Sequence, residues 1–205
     1  MKRMPWVDLR TPMIAAGGRC MIFRHPADEA KIIKVTKATE HPGLRGYFKA
    51  RKAKRQFREC STLHTQAIKR FERQGRKVPI PRLFGTVATP LGTGLVMEAV
   101  LGEDRQLGTN LEQLMEHDTL EEHHRHEVNE LARASIDCGV VVPDLQLANI
   151  VWGTARGRRS MFIVDGFDDH THLRRFGWLS LYDRKKMLER WNQRILRPLM
   201  LDSPA

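Results

Sequence analysis

Short apolar runs bounded by glycines and turn residues recur early in the chain, whereas several stretches of the second hundred carry apolar residues every three or four positions. The first pattern predicts three short strands, Thr11 to Ala16, Arg19 to Arg24 and Lys31 to Thr36, joined at Gly17-Gly18 and at the turn HPADEA. A helix is expected between residues 45 and 75, where Leu63, Ala67 and Phe71 make an apolar stripe that Gly75 ends. The apolar strand Leu95 to Val100 gives way to Gly102-Glu103-Asp104, so a boundary is expected near residues 97–104. Beyond it the pattern predicts a short helix from Asn110 to His117 and a long one. The long helix would be capped by Thr119 with Glu122, buried along Leu120, Val128, Leu131, Ala132 and Ser135, and ended by Gly139. Ile150 to Trp152 and residues 161–165 read as strands flanking a polar, glycine-containing turn, GTARGRRS at 153–160. A last amphipathic helix is expected from Ser180, capped through Asp183, with Leu181, Leu188, Trp191 and Ile195 on one side. The fold class is therefore α+β, in two parts: residues 1–100 with an antiparallel sheet and one helix, and a mostly helical part, residues 101–205.

Composition narrows the class. A chain of 205 residues with 41% apolar content can bury an ordinary core. The first twenty residues are interrupted by Asp8, Arg10 and Pro12, so no membrane span or secretory leader is expected and the cytoplasm is the expected compartment. Three separated cysteines, Cys20, Cys60 and Cys138, argue against a disulfide framework or a clustered zinc site. Lys and Arg outnumber Asp and Glu by 35 to 24, a net charge of +11. Arg45, Lys49, Arg51, Lys52, Lys54, Arg55 and Arg58 contain no acidic residue among them, so residues 45–58 are a candidate nonspecific polyanion contact. His117, His123, His124 and His126 crowd into EHDTLEEHHRH. Helical geometry supplies no acidic or sulfur ligand to close a metal site there, so they are expected on the helix surface.

The candidate chemistry lies in VVPDLQLANIVW and MFIVDGF. Asp144, Asn149 and Asp165 follow the order in which phosphotransferases of the protein-kinase type set a base and two magnesium ligands around a nucleotide's phosphates. The hairpin between them would bring Asn149 and Asp165 to adjacent strand ends. In KIIKV the stem of Lys34 would be buried among Ile32, Ile33 and Val35, its ammonium reaching a cleft where α and β phosphates stabilise it. Gly17 and Gly18 would let backbone amides approach those phosphates.

Through GGRCMIFRHPADEAKIIKV, PRLFGTVATPLGTGLVMEAV, VPDLQLANIVW and FIVDGF, the chain resembles the small bacterial YrbL-like family, named for the PhoP regulatory network, within the protein-kinase-like superfamily. The resemblance implies a minimal two-lobed ATP-binding fold, with a fourth and fifth strand leading into a hinge. It implies ATP and Mg2+ as cofactors, Asp144 as base, Asn149 and Asp165 as metal ligands, and Lys34 on the phosphates. Main-chain groups around Met97, Glu98 and Val100 would meet the adenine. A carboxylate orienting Lys34 is implied on the helix of residues 45–75, with Glu59 the choice and Glu72 the competitor. Several features depart from the kinase pattern: Val142-Pro143 precede the base where His-Arg is usual, the glycine loop has two glycines, Asp165 is followed by Gly166-Phe167, and no activation segment or Ala-Pro-Glu is recognisable after it. The expected activity is phosphoryl transfer from a nucleotide to an acceptor that the sequence does not identify. The alternatives are a nucleotide-binding regulator that has lost transfer, and a basic polyanion-binding module.

Overall fold

The structure, a computed structural model of the chain, describes residues 3–9, 12–16, 20–36, 60–167 and 183–201. It is mixed α+β and divides into two compact units, Met1–Ser61 with Pro81–Ala99, and Thr62–Ile80 with Val100–Ala205. No helix of the described residues is long and apolar enough to cross a membrane.

The first unit is a six-stranded sheet in the order β1-β5-β6-β4-β3-β2, comprising β1 (Arg3–Trp6), β2 (Met13–Ala16), β3 (Cys20–His25), β4 (Asp28–Thr36), β5 (Leu83–Thr89) and β6 (Gly92–Glu98). All neighbours are antiparallel except β1 with β5. Phe23, Ile33, Val35, Val87 and Val96 form one buried cluster. β4 starts earlier than the expected Lys31, because the turn is shorter than HPADEA: His25 already pairs with Asp28. The Asp28 carboxylate accepts from Ala30 N at 3.0 Å and meets Lys31 Nζ at 2.6 Å, which secures the first residues of the strand. The lysine draws the Asp28 carboxyl below its usual pKa. β1 was not expected, since RMPW is short and carries Pro5. Its place at the sheet edge, where a missing N–H is tolerated, explains how it forms.

The second unit carries a three-stranded sheet, β7 (Thr109–Asn110), β8 (Ile150–Ala155) and β9 (Arg158–Ile163), in the order β7-β8-β9. Its helices are α1 (residues 60–73, of which the unit holds those from Thr62), α2 (Leu111–Glu116), α3 (Glu122–Asp137) and α4 (Arg184–Trp191). The turn between β8 and β9 is tighter than the expected 153–160. Arg156 and Gly157 alone form it, at φ 53° and 69°, and Ala155 pairs with Arg158. Two consecutive residues of positive φ match the right-handed strand twist, so pairing runs up to the turn. α2 begins where expected, with Asn110 Oδ1 accepting from Gln113 N at 2.8 Å and Gln113 Oε1 accepting from Asn110 N at 3.1 Å. α3 begins later than Thr119 and is capped at Glu121. Thr119 is used instead to end α2, its N–H and hydroxyl both donating to Leu114 O. The expected stripe Val128, Leu131, Ala132 and Ser135 is buried, and His124 joins it with Ile136. α4 is capped by Asp183, whose Oδ1 accepts from Lys185 N at 2.9 Å, and it buries Trp191 ahead of Ile195.

Arginines fasten the carboxyl end of α3. Arg76 and Arg184 each reach the Asp137 carboxylate at 3.0 Å, and Arg70 Nη1 donates to Gly139 O at 2.9 Å. Cationic groups at a helix C-terminus meet both unpaired carbonyls and the negative end of the helix dipole.

Candidate functional site

Three of the sequence-predicted residues come together in the second unit. β8 and β9 pair from Ile150 opposite Ile163, and Val164 N donates to Asn149 O at 3.0 Å, one step beyond the strands. Asn149 thus immediately precedes β8 and Asp165 closely follows β9, so the hairpin sets them at adjacent strand ends. A 3-10 turn over Leu147–Asn149 shapes the preceding loop. Asp144 joins through two further bonds: its N–H donates to Gly166 O at 2.9 Å, and its O accepts from Asn149 Nδ2 at 2.9 Å. The loops at 144–149 and 164–167 are therefore stitched to each other through main-chain groups on both sides.

Buried apolar residues flank these three in sequence. Val142, Leu145, Ile150, Ile163 and Phe167 are buried, whereas Asp144, Asn149 and Asp165 are each half-buried. Phe167 meets the edge of the buried His64 ring on α1, with centroids 5.0 Å apart. Gly166 adopts φ 97°, and a Cβ there would lie 2.5 Å from Asp144 O. Only glycine fits this crossing, which gives a physical reason for the order Asp-Gly-Phe. Val142 Cγ1 lies 2.9 Å from the same constructed Cβ, so Val142 fills space beneath the crossing.

The donor set suits a hard divalent cation. Because Asn149 Nδ2 is used by a carbonyl, its other terminal atom is Oδ1, an uncharged oxygen of the kind magnesium takes alongside a carboxylate. Asp165 supplies that carboxylate. Gln146, which the sequence reading did not single out, donates through Nε2 to Asp144 Oδ1. Its position two residues beyond Asp144 was the available signal. Among the described residues no group of three or more His, Cys, Asp and Glu side chains is arranged to hold a metal.

In the first unit, Lys34 sits in register between Ile22 on β3 and Leu95 on β6. It is 8% exposed, between the fully buried Ile33 and Val35. Its alternate position places it on the sheet face opposite the Ile33 and Val35 cluster. Lys34 is therefore buried, but not among Ile33 and Val35 as expected, because neighbouring side chains of a strand point to opposite faces. Met97 is buried on β6, and Glu98 is bonded twice to Arg82, through its own N–H at 2.9 Å and through Oε2, which accepts from Arg82 N at 3.1 Å. The side chain of Glu98 thus has a structural partner that the sequence did not indicate. Val100, in the second unit, packs with Val151, Ala155 and Phe162, while its O accepts from Gly108 N. Gly17, Gly18, Glu59 and the basic run at 45–58 lie outside the described residues. Glu72 is exposed on α1, as expected for the competitor of Glu59.

The histidine-rich segment differs from its expectation in one respect. His124 is buried at 5% exposure, while His123 and His126 are exposed. His124 lies four residues before Val128 and therefore on the buried stripe of α3. Its Nδ1 accepts from Glu121 N at 3.1 Å, and its ring meets Trp152 edge-on at 5.0 Å.

Comparison with known proteins bears on the whole chain. The family described as PhoP regulatory network protein YrbL matches residues 8–199. No curated protein matches the chain.

Proposed function

We propose, for a chain that belongs to the YrbL family of PhoP regulatory network proteins, magnesium- and ATP-dependent phosphoryl transfer by a minimal two-lobed, kinase-like fold. The observation that carries the proposal is the stitching of the loop of Asp144 and Asn149 to the residues on either side of Asp165 by the bonds Asp144 N to Gly166 O and Val164 N to Asn149 O, with Asn149 Nδ2 donating to Asp144 O. Residues separated by up to 21 positions in the sequence are thereby held as one polar constellation. Phosphoryl transfer asks mainly for positioning and charge neutralisation, which rigid oxygen donors serve.

Asp144 takes the proton of the acceptor hydroxyl. Gln146 occupies Oδ1, which leaves Oδ2 for that proton. Asn149 Oδ1 and the Asp165 carboxylate would hold magnesium, which would offset the negative charge of the phosphates. Lys34 is assigned to the α and β phosphates, Glu59 to its orientation, and Gly17 and Gly18 to the phosphate cover. Main-chain groups at Met97, Glu98 and Val100 are assigned to the adenine.

Thermal-shift titration with ATP, with and without magnesium, tests the reading, because a ligand that binds the native state raises its stability by mass action. Asp165→Asn is expected to weaken the magnesium-dependent shift about tenfold or more in apparent affinity. Asp144→Asn should keep the shift and lower γ-phosphoryl loss from ATP by about 10²-fold or more. Lys34→Met should weaken ATP binding. No ATP response in the wild type defeats the proposal. A second reading, a nucleotide-binding regulator without transfer, is favoured by the buried Val142-Pro143 in place of His-Arg, and binding without turnover is its signature.

A further inference from the structure

We infer that His124, packed on Trp152 at the start of α3, is an acid-sensitive latch that holds the first turn of the helix in place while neutral and releases it on protonation. The geometry assigns the proton. Nδ1 of His124 accepts the Glu121 N–H at 3.1 Å, so any proton on the neutral ring is on Nε2. Protonation puts a second N–H on the atom that now accepts, and two donors would face each other. The bond is lost in that single step, without any rearrangement elsewhere being required.

The surroundings weight the outcome. On its own helix His124 faces His123, with ring centroids 3.8 Å apart. From the cap it faces Glu121, whose Oε2 is 3.2 Å from His123 Nδ1. From β8 it meets Trp152, and from β9 Arg159 lies over the same indole at 5.2 Å, with Glu103 paired to that arginine. Burial, His123 and Arg159 all oppose a charge on His124, and only Glu121 favours one; burial is the largest of these influences and the net effect holds its pKa below the usual 6.5. A histidine whose folded pKa is lowered contributes stability that is present above the unfolded value and is lost as the pH falls below it. The loss of stability therefore begins below about pH 6.5, and the release itself, which requires the folded ring to charge, comes at lower pH still.

The chain itself supplies the control substitution. α2 uses the same reciprocal cap with a glutamine, Gln113 Oε1 accepting from Asn110 N at 3.1 Å. His124→Gln puts that non-titrating acceptor into the α3 cap. Between pH 7.5 and 5, the wild type should lose about 2–4 °C more in Tm than His124→Gln, the size of one cap bond in a chain of this length. In the wild type, NMR titration should give His124 a pKa below that of a free histidine, with the Glu121 amide shifting along the same curve. Hydrogen exchange at residues 121–125 should speed up over that pH range in the wild type and stay flat in His124→Gln. Equal pH profiles for the two proteins, or a His124 pKa at or above the free value, would overturn the latch. The NMR arm needs no substitution, so it decides the matter even if the variant misfolds.

Discussion

Replacing Gly166 by alanine places a methyl group at the point where the two loops of the candidate site cross. The new Cβ would lie 2.5 Å from Asp144 O and 2.9 Å from Val142 Cγ1, whereas ordinary contact begins at 3.4 Å. The carbonyl must therefore retreat by about 1 Å, and it is the acceptor for Asn149 Nδ2. Holding alanine at φ 97° costs about 1–2 kcal/mol, and losing the Asn149 bond costs about 1 kcal/mol more. The expected destabilisation is about 3 kcal/mol, or roughly 6–12 °C in Tm for a domain of this size. Gly157→Ala is the matched control: φ is 69° and a Cβ there meets nothing within 4 Å. It should cost only the conformational part, about 1 kcal/mol. Urea denaturation of both variants at constant m-value measures the difference. A parallel ATP titration with magnesium reads the site, where Gly166→Ala should bind more weakly than Gly157→Ala. Two results would refute the reasoning: equal stability losses, or a destabilised Gly166→Ala with unchanged magnesium-dependent affinity. The second would mean that the crossing matters to the fold and not to the site.

Asp183→Ala removes the acceptor for Lys185 N at the start of α4 and should cost about 1 kcal/mol in urea denaturation, while Asp183→Ser should recover most of it. Glu98→Ala leaves the Arg82 N–H without its side-chain acceptor and should cost about 1–3 kcal/mol, whereas Glu98→Gln, which keeps an oxygen there, should cost less; equal losses would contradict a hydrogen-bonding role. Cys138 is buried and burial raises its thiol pKa, so at pH 8 a thiol reagent should label the partly exposed Cys20 well before Cys138. Comparable labelling rates would show that the end of α3 opens readily.

Much of the local structure was legible because it depends on neighbours in sequence. The short apolar runs and turn of residues 20–36, the hairpin from Ile150 to Ile163, and the stripe of α3 each follow from local patterns that mark a buried face. The candidate trio was legible for the same reason: a hairpin with matched strands returns Asp165 to Asn149 whatever surrounds it. The limits of turns and caps were less so. Thr119 and Glu122 fit a helix start as well as Glu121 and His124 do, and the choice fell to the packing of His124 on Trp152, a contact between residues 28 positions apart in sequence. β1 and β7 are short pieces whose strand character comes from pairing with β5 and β8, so no local pattern announces them.

By itself, the sequence determined which segments could bury a face, where charge accumulates, and that Asp144, Asn149 and Asp165 bracket a hairpin. Those are properties of composition and of a period of a few residues. The tertiary structure decided that the Asp144 carbonyl orients the Asn149 amide, that Gly166 has no room for a side chain, and that one histidine of four in EHDTLEEHHRH is a buried acceptor. Hydrogen bonds and steric contacts of this kind join residues far apart along the chain, and their partners exist only once the chain has folded.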